Sequence, residues 1–444
     1  MRPLISWSEL TNASVGLWGL GVEGAASLRR LRSMGTVPVL VDDEPSSPTY
    51  EGLDVWRTDA GGLAALLGCE VVIKSPGISR YRPEVEQLER AGIPVRGGLG
   101  LWLEEVPLER VACITGTKGK STTTMVAGHL LAGLGYDVRV GGNIGQPPWD
   151  PSTAPEPDLW VIETSSFQVP DLTTGPPVVA VTSLSPDHLD WHGSVERYYA
   201  DKLSLCTKPG VRVVLAGAGD ECLRDHAGPL GPHPEWVDVA DPRYGGAWVE
   251  ALGLPGQHNR RNAAMARAVL LGLGVTEAGD DDQMTRAAAG FAGLPSRCHS
   301  LGQVDGVEFV DDSLSTNVLP AQAALAAYAD RPVALLVGGH DRGLDYTPLG
   351  RTVADRGSPT LIVTMPDNGP RIGQAIRAVA RDAVEVHDAA TLADAVATAF
   401  AWSEPGGVVL LSPAAPSFGR FSDYRDRARA FAEAAAACGA LVPS

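Results

Sequence analysis

The sequence predicts an α/β protein with three domains in series, each built around a mostly parallel sheet. The length of 444 residues is enough for about three domains of ~150 residues each. Apolar runs such as "LWVIE" and "VVAVTS" alternate with helical stretches, and such runs are typical of parallel strands buried on both faces. The 51 glycines and 34 prolines indicate many turns between short elements, which favours this class over long helical bundles.

The overall charge and composition exclude several classes of protein. The net charge is −17, from 36 basic and 53 acidic residues, so a nucleic-acid backbone would be repelled. The six cysteines have no C-x-x-C spacing, which predicts reduced thiols used as small core residues. The N-terminus has no apolar signal-peptide core, and no apolar run reaches the ~18 residues of a membrane span. We therefore expect a soluble cytoplasmic protein that binds neither nucleic acid nor membranes.

The first predicted domain opens with a strand, a glycine-rich turn, a helix and a second strand over residues 15–43. The turn spells G-x-G-x-x-G at positions 19–24, and Asp42 and Asp43 follow about 20 residues later. This pattern predicts a nucleotide site at a helix N-terminus. The pattern alone leaves open a nicotinamide nucleotide, another nucleotide, or a tight turn with no ligand. A later strand leads into the loop 75–77, at the edge where open parallel sheets bind ligands.

The central predicted domain begins with a strand that feeds the sequence "ITGTKGKSTTT" at 114–124. A usual phosphate-binding loop reads G-x-x-x-x-G-K-[ST], but here only two residues separate Gly116 from Gly119. The shorter loop still provides glycines for backbone contact with phosphate, Lys120 to neutralise it and Ser121 to ligate Mg²⁺. The alternative is a threonine- and glycine-rich turn with a solvated lysine.

Polar side chains follow further apolar segments of this domain. Glu163 ends a predicted buried strand, where an unpaired carboxylate is costly unless it binds a metal or caps a helix. His188 follows the next strand, in the polar group "DHLDWH" at 187–192, and could equally be a histidine in a capped loop. Lys202 lies in a predicted helix, where a lysine is ordinarily solvated.

A pair of asparagines opens the last long helix of the central domain. Asn259 and Asn262 are three residues apart, so both can face one ligand, and amide groups suit the edge of a purine. N-capping would explain only one of them. Beyond the predicted linker 293–297, polar loops follow three apolar strands in the third domain. These loops carry Arg342 and Arg420, which are candidate anchors for a carboxylate or a phosphate, although either alone could be a surface arginine.

Taken together and in order, these motifs resemble those of the Mur ligases, the ATP-dependent amide ligases of peptidoglycan precursor synthesis. The resemblance covers nearly the whole chain. The matching motifs are G-T-K-G-K-S-T (116–122), G-N-I-G (142–145), E-T-S-S-F-Q (163–168), D-H-L-D (187–190), K-L (202–203), G-Q-H-N-x-x-N (256–262), the interdomain Arg297, D-D-S-x-S-T-N (311–317) and S-P-A-A-P-S (412–417). The shortened phosphate-binding loop is the form that this family uses.

The resemblance implies a domain organisation and a reaction. It implies a UDP-binding Rossmann-like domain at 1–108, a central ATP-binding P-loop domain at 109–296, and a C-terminal Rossmann-like, glutamate-binding ligase domain at 297–444. The Rossmann-like start and the S-S-F-Q string are most similar to the MurD-type branch. That branch adds glutamate to UDP-N-acetylmuramoyl-L-alanine through an acyl phosphate of its alanyl carboxylate. The expected partners are these two substrates, and the expected state is a monomer.

The resemblance also implies roles for individual residues. The ATP phosphates and adenosine would be bordered by Gly116, Thr117, Lys118, Gly119, Lys120, Ser121, Thr122, Asn259, Asn262, Arg297 and Asp312. Ser121 and Glu163 would hold one Mg²⁺, and His188 and Lys202 would serve a second. The amine of the matching lysine is typically carboxylated in this family. The expected catalytic residues are Lys120, Glu163, His188 and Lys202. The nucleotide-sugar would be lined by Val22, Glu23, Asp42, Asp43, Ser75, Pro76 and Gly77, with Asn143 and Ser165 nearer the muramoyl-alanine. The remaining substrate-binding positions are Thr316, Arg342, Ser417, Phe418 and Tyr424.

One position departs from the MurD pattern. MurD enzymes usually read D-S-K-A-T-N, and this chain has Leu314 in place of the lysine. The change removes a cation beside the expected site of a dicarboxylate substrate. We therefore favour the branch of the family that adds L-glutamate, with the D-glutamate-adding ligase as the alternative.

Three other classes of protein are weighed against this interpretation. A folylpolyglutamate-synthetase-like ligase would not need a UDP-type first domain. A nicotinamide-dependent oxidoreductase would explain the first glycine-rich turn but not the second phosphate-binding loop. A non-catalytic nucleotide switch would not need Lys120, Glu163, His188 and Lys202 together.

Overall fold

A computed structural model describes residues 5–153, 155–380 and 384–442 of the chain. Within these ranges, three six-stranded sheets follow one another along the sequence, and helices connect their strands. The predicted α/β class, with three sheets in series, is therefore confirmed. The domain boundaries at residues 108 and 296 stay predictions.

The first sheet positions the glycine-rich turn. Its strands are β1 (Val15–Trp18), β2 (Val39–Asp42), β3 (Thr49–Tyr50), β4 (Leu53–Arg57), β5 (Val71–Lys74) and β6 (Val95–Gly97), and its helices are α1 (Val22–Ser33), α2 (Leu63–Leu67), α3 (Pro83–Arg90) and α4 (Gly98–Leu103). The strand order is β3-β4-β2-β1-β5-β6, parallel except between β3 and β4. Because β2 and β5 lie on opposite sides of β1, the winding reverses there, which is where open α/β sheets bind ligands.

The second sheet positions the phosphate-binding loop. Its strands are β7 (Val111–Thr115), β8 (Val138–Gly142), β9 (Leu159–Glu163), β10 (Val178–Val181), β11 (Val213–Gly217) and β12 (Glu235–Val237), and its helices are α5 (Lys120–Gly133), α6 (Leu189–His192), α7 (Val195–Leu203), α8 (Glu221–Asp225), α9 (Gln257–Gly272) and α10 (Asp281–Ala288). The order is β12-β11-β10-β7-β9-β8, parallel throughout. The winding reverses at β7, and the register pairs Ile114 with Glu163, so the loop after β7 starts beside Glu163.

The third sheet carries the C-terminal loops. Its strands are β13 (His299–Val304), β14 (Val307–Asp311), β15 (Val333–Val337), β16 (Thr360–Thr364), β17 (Glu385–Asp388) and β18 (Val408–Leu411), and its helices are α11 (Val318–Ala327), α12 (Thr347–Ala354), α13 (Gly369–Ala380), α14 (Leu392–Trp402) and α15 (Tyr424–Cys438). The order is β13-β14-β18-β15-β16-β17, with only β13 antiparallel to its neighbour among these described strands. Fully buried Val, Leu and Ile side chains cover both faces of this sheet.

The described chain divides into two compact units. The first unit contains the first two sheets, up to Leu252, together with Arg260–Phe291. The second unit contains the third sheet, from Ala292 onward, together with Gly253–Asn259. Across the ranges that the structure describes, every helix is too short or too polar to span a bilayer.

One continuous apolar core joins the first two sheets inside the first unit. Trp7 stacks on Trp149 with ring centroids 6.3 Å apart, and Trp102 meets Trp160 edge-on at 5.4 Å. Each pair joins a residue before position 108 to a residue after it. Burial of such large aromatic surfaces is a major source of stability, so the two sheets are expected to fold as one body.

Candidate functional site

The phosphate-binding loop has the strand–loop–helix geometry that the sequence predicts. Residue Thr115 ends β7, the loop occupies 116–119, and α5 begins at Lys120. Gly119 has a φ of +89°, and a Cβ there would lie 2.5 Å from Oδ1 of Asn262. Only glycine fits this position, because a side chain would be strained and would strike the asparagine. The backbone is thus shaped for close approach of an anion to the helix N-terminus.

Three lysine amines surround this loop. The Nζ atom of Lys118 lies 3.1 Å from Oδ2 of Asp187, and the Nζ atom of Lys120 donates to the carbonyl oxygen of Thr117 at 3.1 Å. The Nζ atom of Lys202 donates to the carbonyl oxygen of Gly116 at 2.8 Å. The Lys202 side chain is buried rather than solvated, and burial, with the nearby Lys120, lowers its pKa well below the usual value. Basic side chains are therefore concentrated at this loop of an acidic protein.

Glu163 is a buried carboxylate at the carboxyl end of β9, only 1% exposed. Its Oε1 accepts a hydrogen bond of 2.7 Å from Nδ2 of Asn143. Its Oε2 has no hydrogen-bond partner among the described atoms. A buried carboxylate oxygen without a partner is costly, and a hard cation such as Mg²⁺ would satisfy it. The residues present therefore fit a magnesium ion beside the phosphate-binding loop.

Any such cation would need ligands beyond carboxylates. Among the residues that the structure describes, no group of three or more His, Cys, Asp and Glu side chains is arranged to hold a metal. Ser121, whose hydroxyl is the expected second ligand, is buried at the first turn of α5, and Thr122 beside it is also buried. Oxygens of a bound phosphate and water would complete the coordination, as Mg²⁺ commonly requires.

His188 lies at the start of α6 in a left-handed conformation, with a φ of +51°. Its ring packs edge-on against Phe167, with centroids 4.8 Å apart, and its Nε2 lies 3.9 Å from Oδ2 of Asp187. Burial, and the neighbouring amine of Lys202, lower the pKa of His188, although Asp187 opposes the shift. The neutral ring is therefore favoured at neutral pH, which is the form that can ligate a metal.

The glycine-rich turn of the first sheet is closely packed. A Cβ on Gly24 would lie 2.0 Å from the carbonyl oxygen of Gly19, so helix α1 can approach the turn only with glycine there. Asp42 accepts from the backbone N–H of Leu20 at 2.7 Å, and Ser75 donates from Oγ to the carbonyl oxygen of Gly19 at 2.7 Å. Asp42 at the end of β2 and Ser75 directly after β5, both expected to bind the nucleotide-sugar, are thus hydrogen-bonded to the same glycine-rich turn.

Other expected residues of this turn are placed differently. Asp43 accepts from the hydroxyl of Thr58 at 2.7 Å and forms an ion pair with Arg82. Val22, at the first position of α1, is 72% exposed, which suits contact with a ligand rather than a core role. Pro76 and Gly77 follow Ser75 in a turn after β5.

Glu23 connects the glycine-rich turn with the loop that carries Ser165. Its Oε1 accepts from Nε2 of Gln168 at 2.7 Å. The Oε1 of Gln168 in turn accepts from the backbone N–H and the hydroxyl of Ser165 at 2.8 and 3.0 Å. Burial raises the pKa of Glu23 to about 7. Gln168 therefore joins Glu23, an expected nucleotide-sugar residue, to Ser165, which is expected nearer the muramoyl-alanine.

The two asparagines at the start of α9 are both buried, and their binding role stays a prediction. Asn259 donates from Nδ2 to the carbonyl oxygen of Pro255 at 2.8 Å. Asn262 lies against the phosphate-binding loop at Gly119.

In the second compact unit, Asp312 is buried just after β14. Its Oδ2 accepts from the hydroxyl of Ser412 at 2.6 Å and its Oδ1 from the backbone N–H of Cys298 at 3.1 Å. Burial raises the pKa of Asp312 to about 7. Arg297, the expected interdomain arginine, is half-buried, and its backbone N–H donates to Leu294 at 3.2 Å.

The expected glutamate-binding positions differ in exposure. Thr316 and Tyr424 are half-buried and Ser417 is buried, whereas Arg342 is exposed and Phe418 is 53% exposed. Exposure of the last two at the surface of this unit leaves them available to a ligand.

Leu314 is half-buried, and its backbone N–H donates to the carbonyl oxygen of Ser296 at 3.1 Å. The loop beneath it rests on a residue that sequence reasoning missed. Arg427 on α15 is 1% exposed and donates to the carbonyl oxygens of Ser313 and Ala415 at 2.7 and 3.1 Å. Ser313 lies 114 residues before Arg427, so no spacing pattern in the sequence predicts that contact.

Comparison with known proteins decides the family. The profile of the Mur ligase middle domain matches residues 114–229, and that of the Mur ligase glutamate ligase domain matches residues 296–415. A protein of Xanthomonas euvesicatoria named UDP-N-acetylmuramoyl-L-alanine--L-glutamate ligase is 40% identical over 96% of both chains. A protein of the same name from a Micromonospora species is 37% identical, over 96% of this chain and 97% of its own.

The chain belongs to the Mur ligase family.

Solved structures of Mur ligases share the fold. The UDP-N-acetylmuramate–alanine ligase MurC from Thermotoga maritima has a TM-score of 0.58 at 17% identity, covering 96% of this chain and 100% of its own. MurF from the same organism, solved in complex with ADP, has a TM-score of 0.53 at 14% identity, covering 98% of both chains. The family profiles and the named relatives confirm the predicted resemblance to Mur ligases, and the chain is a ligase rather than a nicotinamide-dependent oxidoreductase.

Proposed function

We propose that this Mur ligase adds L-glutamate to the alanyl carboxylate of UDP-N-acetylmuramoyl-L-alanine in an ATP-dependent reaction of peptidoglycan precursor synthesis. The observation that carries the proposal is the 37–42% identity, over 96% of the chain, to relatives named UDP-N-acetylmuramoyl-L-alanine--L-glutamate ligase. The leucine at position 314, where D-glutamate ligases usually have lysine, supports the L enantiomer. Both substrates are small molecules, and we propose a cytoplasmic monomer.

The chemistry requires activation of a carboxylate, which has no leaving group. Transfer of the γ-phosphoryl group of ATP to the alanyl carboxylate gives an acyl phosphate and ADP. The glutamate amine attacks the acyl carbon, and the tetrahedral intermediate collapses to an amide with loss of phosphate and a proton. The reactants are crowded anions, so the enzyme contributes mainly positioning and charge neutralisation.

The first compact unit supplies groups for the phosphoryl transfer. We propose that the backbone of 116–122 holds the ATP phosphates, with Lys118 and Lys120 neutralising charge. Ser121 and the unpartnered oxygen of Glu163 would hold Mg²⁺. His188 and Lys202 would serve a second Mg²⁺. A bound Mg²⁺ would supply electrostatic stabilisation of charge on the phosphate oxygens.

Lys202 fits a carboxylated state. The lowered pKa of the buried Lys202 increases the fraction of the neutral amine, which is the form that reacts with CO₂. The new bond joins Nζ to the carbon of CO₂, one proton is released, and the product is a carbamate with a charge of −1. That group would be an oxygen ligand for a hard cation, and it would relieve the repulsion between Lys202 and Lys120.

The remaining roles concern recognition of the substrates. We propose that Val22, Glu23, Asp42, Asp43 and the loop Ser75-Pro76-Gly77 bind the uridine diphosphate, with Asn143 and Ser165 nearer the muramoyl-alanine. Asn259, Asn262, Arg297 and Asp312 would border ATP. Thr316, Arg342, Ser417, Phe418 and Tyr424 would bind glutamate, and Arg342 suits a carboxylate because its guanidinium pairs in a bidentate manner.

The decisive experiment supplies UDP-N-acetylmuramoyl-L-alanine and ATP with each glutamate enantiomer separately. Phosphate release and formation of the amide are expected with L-glutamate. Turnover with D-glutamate and none with L-glutamate would reverse the stereochemical assignment. No phosphate release with either enantiomer would contradict the ligase reaction itself. Lys120→Ala is the control, because it should remove turnover with any amino acid.

A further inference from the structure

The segment Trp191-His192 contacts two loops that follow different strands, and the helix α7. Trp191 donates from Nε1 to the carbonyl oxygen of Pro76 at 3.0 Å, and its own carbonyl oxygen accepts from the hydroxyl of Ser79 at 3.1 Å. Its ring stacks on Phe167 with centroids 4.9 Å apart. The indole therefore joins the loop after β5, in the first sheet, to the loop after β9, in the second.

His192 continues this connection toward α7. Its Nε2 lies 3.0 Å from Oγ of Ser166, and its Nδ1 lies 2.6 Å from Oδ2 of Asp201. The other oxygen of Asp201 accepts from the hydroxyl of Tyr81 at 2.5 Å. Nδ1 is the donor to Asp201, because an ionised carboxylate only accepts hydrogen bonds.

Several residues that this segment contacts lie next to, or within, proposed binding residues in the sequence. Ser166 directly follows Ser165, and Asp201 directly precedes Lys202. Pro76 is the central residue of the loop proposed to bind the uridine diphosphate. Three of the contacted residues, Pro76, Ser166 and Asp201, thus lie inside, or one residue from, a group proposed to bind substrate or metal.

The Ser166–His192–Asp201 arrangement has the connectivity of a nucleophilic triad, but its burial points elsewhere. Ser166 is 2% exposed and His192 is 1% exposed, so the hydroxyl is enclosed by protein rather than presented to a substrate carbonyl. A buried imidazole paired with a carboxylate also carries a desolvation cost that an apolar side chain of similar size would avoid. Its value therefore lies in directional contacts, not in apolar packing.

We propose that Trp191 and His192 are positioning residues that hold the nucleotide-sugar loop, the Ser165 loop and the Lys202 helix in one fixed geometry. The inference rests on the proposed ligase function, which it deepens. Without the contacts of Trp191 and His192, the two loops and the helix would still form, but their positions relative to one another would no longer be fixed. Misplacement of reacting groups by about 1 Å can cost ~100-fold in rate, so the effect appears in turnover rather than in folding alone.

The test distinguishes the contact that Nδ1 of His192 makes with Asp201 from the contact that Nε2 makes with Ser166. His192→Asn retains a donor near the place of Nδ1 and loses the contact with Ser166, so the KM for UDP-N-acetylmuramoyl-L-alanine should rise with kcat largely kept. His192→Gln extends an amide toward the place of Nε2 and loses the contact with Asp201, so kcat should fall with that KM largely kept. His192→Leu removes both contacts, and kcat/KM should fall ~10–100-fold.

A matched control distinguishes positioning from stability. Leu10→Ala removes apolar volume from the same core at a residue outside these loops and outside α7. This control should lower Tm and leave kcat and KM near wild type. Calorimetry adds a second readout: bound UDP-N-acetylmuramoyl-L-alanine should change the affinity for ADP in the wild-type protein, and His192→Leu should abolish that coupling. The inference is overturned if the wild type turns over and the His192 variants, like Leu10→Ala, lower Tm but keep kcat and KM near wild type. Absence of wild-type turnover with either glutamate enantiomer would instead contradict the proposed function.

Discussion

Asn143 donates a hydrogen bond from Nδ2 to Oε1 of Glu163 at 2.7 Å, and its backbone N–H donates to the carbonyl oxygen of the same residue at 2.9 Å. The amide thereby fixes the carboxylate at the end of β9 and leaves Oε2 without a hydrogen-bond partner among the described atoms. Outer contacts of this kind orient a metal ligand before the metal arrives.

Glu163→Gln should remove the charge that holds the cation while keeping the size of the side chain. We expect kcat to fall at least ~100-fold, in line with loss of one preorganised electrostatic contact. The measurement is phosphate release as a function of Mg²⁺ concentration. Asn143→Ala keeps the carboxylate and should weaken apparent Mg²⁺ affinity by ~10–100-fold. Unchanged Mg²⁺ dependence in both variants would exclude this carboxylate as a ligand.

Lys202→Ala should abolish most activity, because it removes the amine that carboxylation would convert into a metal ligand. Short carboxylic acids added to this variant should restore part of the turnover, since a free carboxylate can occupy the space. Depletion of CO₂ should slow the wild-type enzyme and leave the variant unaffected. Lys208→Ala is the matched lysine control, because the amine of Lys208 donates to the carbonyl oxygen of Leu172, away from the phosphate-binding loop. Wild-type activity of Lys202→Ala would refute the role.

Leu314→Lys should shift preference toward D-glutamate. The variant restores the cation that D-glutamate ligases usually have, and one hydrogen bond to a charged group contributes about 1.5–3 kcal/mol. We expect the ratio of kcat/KM for D- over L-glutamate to rise about tenfold, which corresponds to about 1.4 kcal/mol. Leu319→Lys, at a position that is 50% exposed on α11, should leave the ratio unchanged. A ratio that stays constant in both variants would show that enantiomer choice lies elsewhere.

Glu23→Gln should alter how stability depends on pH. The pKa of Glu23 is raised from 4.5 to about 7 in the folded state, so its stabilising contribution is complete below 4.5 and is lost as pH rises through 7. At 1.36 kcal/mol per pKa unit the loss reaches about 3 kcal/mol by pH 8. The glutamine variant cannot ionise, so its unfolding free energy should fall less than that of the wild type between pH 5 and pH 8. Glu86→Gln, at an exposed ion pair with Arg90, should follow the wild-type curve.

The sequence predicts most of the sheet strands and loops because its local signals agree with the fold. Near-continuous apolar runs become β9, β10, β15 and β18, and the glycines of both binding loops occupy turns that need them. The short edge strands β3 and β12 and the antiparallel β13 leave weaker signals, since their pairing depends on neighbours formed elsewhere in the chain.

The residues of the candidate site that lie in sequence motifs can be predicted. Those that are distant in sequence and come into contact only in the folded protein cannot. Glu163 and Lys120 lie in recognisable sequence motifs. His192 lies in the polar group at 187–192 but has no predicted role. Its contact with Ser166, 26 residues away, forms only in the folded chain. Arg427 supports a loop 114 residues earlier. Contacts of that separation have no spacing rule from which to infer them.

The tryptophan core shared by the first two sheets limits where recombination between related genes would leave the fold intact. Trp7 and Trp102 pack against Trp149 and Trp160, so a recombination event with its breakpoint near residue 108 would combine halves of a core that had not been selected together. Exchange of nucleotide-sugar specificity between relatives would therefore carry the phosphate-transfer machinery with it. The C-terminal sheet has apolar layers of its own on both faces, so an exchange of the proposed glutamate-binding unit would leave the tryptophan core intact.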